Sequence, residues 1–265
     1  MPGSPPRLAY LVCATPRSGS TLLCETLRAT GVAGVPLEHF EVLRHSGRPR
    51  QPREYFEGGP GAAVELLPAL APPRPDPEPS EAWWARIRRA GSTPNGVWGG
   101  KLMWSHVPDF LARVRELDGL DGCDLDHALR ILLGDDLLLV HVRRPDTVDQ
   151  AVSLWRAVQT QAWRAGADGD GGAHARYAFA AIDHLVAQLQ EQETAWGAWL
   201  RATALRSLEL TYDELAGDAP EAVGRVLRAL GLPADHVPAP ATRRQGDARS
   251  AAWAARYRRD RAAHP

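Results

Sequence analysis

Seven consecutive residues, Thr15-Pro16-Arg17-Ser18-Gly19-Ser20-Thr21, combine three side-chain hydroxyls after the proline, one guanidinium and a glycine. Such a loop suits an oxyanion if it leads from a strand into a helix. Backbone N–H groups and the positive end of the helix dipole then converge on one point, and the glycine lets the ligand approach closely. The same residues also read as an ordinary Ser-rich helix N-cap. A nucleoside triphosphate site is disfavoured, because the Walker A pattern G-x-x-x-x-G-K-S/T needs a second glycine and a lysine that this loop lacks. No acidic cluster for Mg²⁺ accompanies it, and no metal is expected. Of the 31 basic residues only Lys101 is lysine, which singles out that ammonium.

The flanking pattern supports strand, loop and helix. Leu8 to Ala14 is a short apolar run ending at the loop, and Leu22, Leu23 and Leu27 then recur at helical spacing. Further apolar runs at Val97 to Met103, Leu137 to Val142 and Ser207 to Leu210 each precede a helical pattern. Helices are predicted around Pro108 to Leu117, Thr147 to Gln161, Ala175 to Leu200 and Asp218 to Leu230. The last carries capping-box spacing at Asp218 and Glu221 and a stop at Gly231 and Pro233. Strands alternating with helices predict an α/β fold, a single P-loop-like domain over residues 1–265 with a mostly parallel central sheet flanked by helices. Residues 1–7 read as flexible, 58–80 as a Pro-rich insertion and Gly166 to Gly172 as a break between helical stretches.

Composition narrows the partners. A formal charge of -1 gives no global case for nucleic acid. The apolar N-terminal run is too short for a membrane span or signal core, so a cytoplasmic protein is expected. Cys13, Cys24 and Cys123 have neither metal-ligand spacing nor an even count, and reduced thiols follow.

Several longer stretches carry a family resemblance. These are Arg17 to Glu38, Gln51-Pro52-Arg53-Glu54, Thr93 to Trp104, Arg144-Pro145-Asp146 through Thr160, Arg244-Gln245, and Trp253 to Arg259. Together they resemble the Stf0 family of bacterial sulfotransferases, whose best-known activity is sulfation of trehalose at the 2-position. The resemblance implies 3′-phosphoadenosine 5′-phosphosulfate as co-substrate, a carbohydrate acceptor and a homodimer. It implies that Arg17, Ser18, Gly19, Ser20 and Thr21 hold the 5′-phosphosulfate, with Arg17 where many relatives have lysine. Arg144, Ser153 and Arg244 are implied for the nucleotide and its 3′-phosphate. Glu38 is implied as general base and Arg17 as the cation on the transferred group.

Other readings accompany these. Glu38 also reads as a surface carboxylate, and His39 is a rival base because imidazole titrates nearer neutrality. Arg53, Glu54 and Lys101 are candidates for acceptor binding, although Lys101 reads equally as a snorkelling surface side chain. Trp98, Trp104, Trp155 and Trp163 lie in the motif-rich parts as sugar platforms or core residues. Val35 stands where trehalose-sulfating members carry an acidic residue, and an apolar side chain accepts nothing from a sugar hydroxyl. Transfer to another small-molecule hydroxyl, a P-loop-like kinase and a non-catalytic binding protein are the alternatives.

Overall fold

Strand β1 (Leu8–Ala14) runs through the middle of the molecule, and Tyr10 to Ala14 are wholly enclosed. A strand buried on both faces needs apolar side chains at every position, which is why this segment shows no polar alternation. The computed structural model describes residues 4–74, 78–163, 174–239 and 248–263. After β1 come α1 (Ser20–Ala29), a small hairpin of β2 (Val42–Leu43) and β3 (Arg48–Pro49), and a 3₁₀ turn over Pro52–Phe56. Helices α2 (Gly61–Val64) and α3 (Ser80–Ala90) lead to β4 (Val97–Met103) and a second 3₁₀ turn, Trp104–His106. Next are α4 (Val107–Val114), α5 (Leu125–Leu133), β5 (Leu138–Arg143), α6 (Thr147–Thr160) and α7 (Phe179–Ala202). The chain continues through β6 (Arg206–Thr211), α8 (Tyr212–Gly217), α9 (Ala219–Ala229) and α10 (Ala248–Ala263).

The main sheet has the order β4-β1-β5-β6 and is parallel throughout, with Leu11 opposite both Gly100 and Leu139. The chain leaves β1 for β4 on one side and returns to β5 on the other. In an open parallel sheet that reversal opens a crevice beyond the carboxyl ends of the strands, where ligands bind. Alternation along the strands sends Leu11, Cys13, Trp98 and Leu139 into one apolar layer with Trp83, Phe110, Leu129 and Trp196. Tyr10, Val12, Val140 and Val142 face the other layer, against Leu23 and Leu27 of α1 and Val223 and Leu227 of α9. A third cluster joins Trp155 of α6, Ile182 and Leu185 of α7 and Tyr257 of α10. The α/β architecture and the parallel sheet match the sequence-based expectation.

Some local expectations change. Asp218 Oδ1 accepts from Glu221 N at 3.0 Å, but the Glu221 carboxylate pairs with Arg228, so only half of the predicted capping box forms. Helices α3, α5 and α10 lie where the sequence pattern predicts none. In the N-terminal segment, Arg88 donates to the Ser4 carbonyl (2.7 Å) and Arg7 to that of Asn95 (3.2 Å), so its described part is tethered. The Pro-rich stretch is held from residues 48–53, with Arg48 donating to Pro72 O and Gln51 exchanging hydrogen bonds with Ala71. The break at Gly166 to Gly172 lies outside the described residues.

Candidate active site

The loop after β1 turns sharply. Ser18 N–H donates to Thr15 O (3.3 Å), Arg17 takes φ 65° and Gly19 φ 95°. Only glycine adopts the left-handed region at no steric cost, and a Cβ on Gly19 would also lie 3.0 Å from the Tyr212 ring. Helix α1 then begins at Ser20 with no side-chain cap and no acidic residue in its first turn. The N-cap reading is therefore set aside, and the positive helix end is left to an oxyanion. From α6, the buried Gln150 donates to Thr15 Oγ1 (2.9 Å) and Pro16 O (2.7 Å), while Trp196 of α7 donates to Ala14 O (2.9 Å). Neither bracing residue was singled out from sequence, because each works across the fold rather than within a motif.

Arg17, Ser153 and Arg144 meet above this turn. Arg17 Nε donates to Ser153 Oγ (3.0 Å) and its Nη1 to Trp163 O (2.8 Å). Arg144 lies over the Tyr212 ring at 4.3 Å, donates to Arg17 O (3.4 Å) and sits 3.9 Å from the Asp149 carboxylate. Its neighbour Arg143 points elsewhere, pairing with Glu193 and Glu209, so the two adjacent arginines have separate tasks. Ser18 departs from expectation. It is wholly buried, its hydroxyl has no hydrogen-bond partner among the described residues, and it is not part of the cavity wall, unlike Gly19, Ser20 and Thr21.

The opposite wall is built by a segment that sequence patterning had left as loop. Gly34, at φ 69°, comes so close to β4 that a Cβ would lie 2.5 Å from Gly99 N. Val35 N donates to Gly91 O (2.8 Å), and Leu37 O accepts from Lys101 N (3.0 Å) as Leu37 bridges Gly100 in parallel. This short strand-like contact sets Glu38 beside Lys101, with Oε1 to Nζ at 2.5 Å. Lys101 is 4% exposed and also donates to Thr21 Oγ1 at 3.4 Å, so it is not a snorkelling surface ammonium. Burial pushes its pKa down most strongly, but the Glu38 carboxylate and other neighbours outweigh that and hold it above the ordinary value. Glu38 Oε2 has no hydrogen-bond partner among the described residues.

His39 is a poor rival for the base. Its Nε2 donates to Val35 O (2.9 Å), and burial, the main influence, lowers its pKa. Val35 engages its surroundings through its backbone and does not line the cavity, so its apolar side chain does not face an acceptor there.

These groups share one cavity of about 1160 Å³, whose wall includes Arg17, Gly19, Glu38, Lys101, Arg144 and Ser153. A single drug-sized ligand needs roughly 300–1,000 Å³, so there is space for a donor and an acceptor together. Two acceptor candidates are held by other partners. Arg53 donates to Leu67 O and Pro68 O, and Glu54 is buried, accepting from Gln51 N and pairing with His45 at 2.8 Å. Both side chains fasten the insertion and stand outside the cavity wall. Arg244 lies outside the described residues. Of the four tryptophans, Trp163 lines the cavity and stacks on Tyr55. Trp98 and Trp155 are fully buried, and Trp104 packs edge-on against Trp196 at 4.9 Å. His106, Arg50 and Tyr55 also line the cavity, and no motif had pointed to them.

Residues 9–260 match the family model described as Stf0 sulphotransferase. Trehalose 2-sulfotransferase of Mycolicibacterium smegmatis is 45% identical over 253 residues, covering 95% of each chain. Its counterpart from Mycobacterium tuberculosis is 44% identical over 250 residues, covering 94% of each. Among solved structures, a sulfotransferase from Alicyclobacillus acidocaldarius shares 15% identity at a TM-score of 0.48, covering 96% of this chain and 93% of that one. Sulfotransferase STF9 from Mycobacterium avium shares 16% at 0.46, covering 99% of this chain and 69% of that one. With the family model spanning nearly the full length and both relatives far above 30% identity, the chain belongs to the Stf0 sulphotransferase family.

Proposed function

We propose that this enzyme moves the sulfonate of 3′-phosphoadenosine 5′-phosphosulfate to the 2-hydroxyl of trehalose, with Glu38 as general base. The observation that carries the reading is that one cavity joins an uncapped helix N-terminus to a carboxylate whose Oε2 has no partner among the described residues. The trehalose 2-sulfotransferases to which the chain is similar support the choice of acceptor.

In this reading the turn from Arg17 to Thr21 and the start of α1 hold the 5′-phosphosulfate. Arg144 and Ser153 take the 3′-phosphate, and Tyr212 backs the Arg144 guanidinium. Glu38 Oε2 accepts the proton of the acceptor hydroxyl while that oxygen bonds to sulfur. The sulfur–oxygen bond to the 5′-phosphate breaks, and adenosine 3′,5′-bisphosphate leaves with the bonding electrons. Arg17 and the helix N-terminus balance charge on the sulfonate and the leaving phosphate. Lys101 fixes Oε1, so Glu38 presents its other oxygen in one orientation. The three cysteines are buried and unpaired, which supports a reducing, cytoplasmic setting.

Purified protein incubated with the donor and a panel of disaccharides tests the proposal. Release of adenosine 3′,5′-bisphosphate that depends on trehalose, with one SO₃ added to the sugar, is the expected result. Donor binding without trehalose-dependent release removes trehalose, and absence of donor binding removes the whole reading.

A further inference from the structure

The acceptor side of the cavity contains a side chain that neither the ion pair nor the phosphate-binding turn employs. His106 ends the 3₁₀ turn Trp104–His106, just beyond the carboxyl end of β4, which carries Lys101. It is 5% exposed, lines the cavity, and its imidazole has no hydrogen-bond partner among the described residues. His39 and His184 are hydrogen-bonded to backbone carbonyls, and His141, whose Nε2 has no hydrogen-bond partner among the described residues, lies outside the cavity wall. The His106 ring nitrogens are open to the cavity rather than sealed in the core, so a ligand there can make a hydrogen bond that no described protein group makes.

The charges around His106 define what such a ligand is. The ring lines the same cavity as Glu38, whose charge opposes the effect of burial on it. Burial is the largest influence and lowers its pKa, leaving a neutral ring with one N–H donor and one acceptor nitrogen. A hydroxyl, which both gives and takes a hydrogen bond, matches that neutral ring. A second carboxylate would meet repulsion from Glu38.

Building on the sulfotransferase reading, we propose that His106 binds a second acceptor hydroxyl close to the one Glu38 deprotonates, and so selects sugars that present both. The pair would then fix the register of the sugar ring as well as its reactivity. Sites built to hydrogen-bond a substrate hydroxyl discriminate strongly against analogues lacking it, because the protein partner is left buried and unpaired.

Monodeoxy analogues of the acceptor provide the test, using trehalose or whichever disaccharide the wild-type enzyme turns over. Turnover by the wild type is read first, so failure of the sulfotransferase reading is separated from failure of the role of His106. For the wild type, removal of one particular hydroxyl lowers kcat/KM by about ten- to a hundredfold. In His106→Ala and His106→Phe, that analogue and the parent sugar should become equivalent, while discrimination at the other positions stays as in the wild type. Affinity for adenosine 3′,5′-bisphosphate should be unchanged, and His106→Gln, which keeps a donor and an acceptor, should restore part of the discrimination. Variants that discriminate every analogue as the wild type does would overturn the proposal. So would loss of folding in both the Ala and Phe variants, which would assign His106 to the fold alone.

Discussion

Glu38 and Lys101 illustrate how little a residue's type says before its partner is known. Alone, the glutamate in a Pro-containing loop resembles a surface carboxylate, and the lysine a solvated ammonium. Their 2.5 Å contact joins a buried ammonium to a half-buried carboxylate, and it follows from Leu37 pairing with Gly100 across a long sequence separation. Replacing Glu38 by Gln should reduce turnover about 10²–10⁴-fold, the usual contribution of a positioned base, while leaving adenosine 3′,5′-bisphosphate binding intact. Stopped assays of product together with calorimetric titration separate the two effects, and undiminished turnover would move the base elsewhere. Lys101→Met is expected to lower both turnover and melting temperature, since the carboxylate loses the charge that orients it. Lys101→Arg should not restore turnover, because a planar guanidinium does not fit a site shaped for a compact ammonium that is 4% exposed. Arg53 and Glu54, read from sequence as acceptor candidates, stand outside the cavity wall. Motif resemblance marked their segment, but side-chain direction was set by the backbone groups of the insertion they hold.

At the scale of elements, the strand, turn and helix around the donor loop were legible because each has a local cause. An apolar run buried on both faces becomes β1, Gly19 permits the turn, and leucines at helical spacing give α1 its buried face. Helix α5 was missed because it is short and begins at an isolated Asp124 cap between glycine-containing turns. The segment 34–37 was missed for a different reason. It makes a single bridge to β4, too brief for any pattern, and depends on Gly34 approaching Gly99 more closely than a Cβ allows. Gly34→Ala should therefore do two things at once. Strain at φ 69° plus the backbone clash is expected to cost about 1–3 kcal/mol of stability. Displacement of Glu38 from Lys101 is expected to lower kcat with little change in donor affinity. Urea denaturation and single-turnover rates check the pair of effects; full activity in the variant would show that the close approach does not position Glu38.

Across the whole molecule, a chain of net charge -1 brings Arg17, Arg144 and an uncapped helix end to one cavity, while the Glu38–Lys101 pair, His39 and His106 also line it. Electrostatics that serve an anionic donor therefore also govern folding. His39 and His106 are both held below their ordinary value of 6.5, chiefly by burial. As pH falls through 6.5, the unfolded chain takes up these two protons before the folded chain does. The unfolded state then binds more protons, so stability decreases with falling pH from 6.5 down to the lowered folded values. Lys101 acts on the opposite limb: its pKa is raised above 10.5, so the stability from its pairing is complete below 10.5 and is lost as pH rises through the folded value. Glu193, lowered by His141 and Arg143 against the opposing effect of burial, adds a loss that starts only below 4.5. Urea denaturation between about pH 5 and 8 should show stability falling on the acid side of 6.5. His39→Gln should flatten that slope, because its uncharged side chain takes up no proton in either state. A slope unchanged by the substitution would mean that the ring is protonated equally in the folded and unfolded chains, and that its burial does not govern its charge.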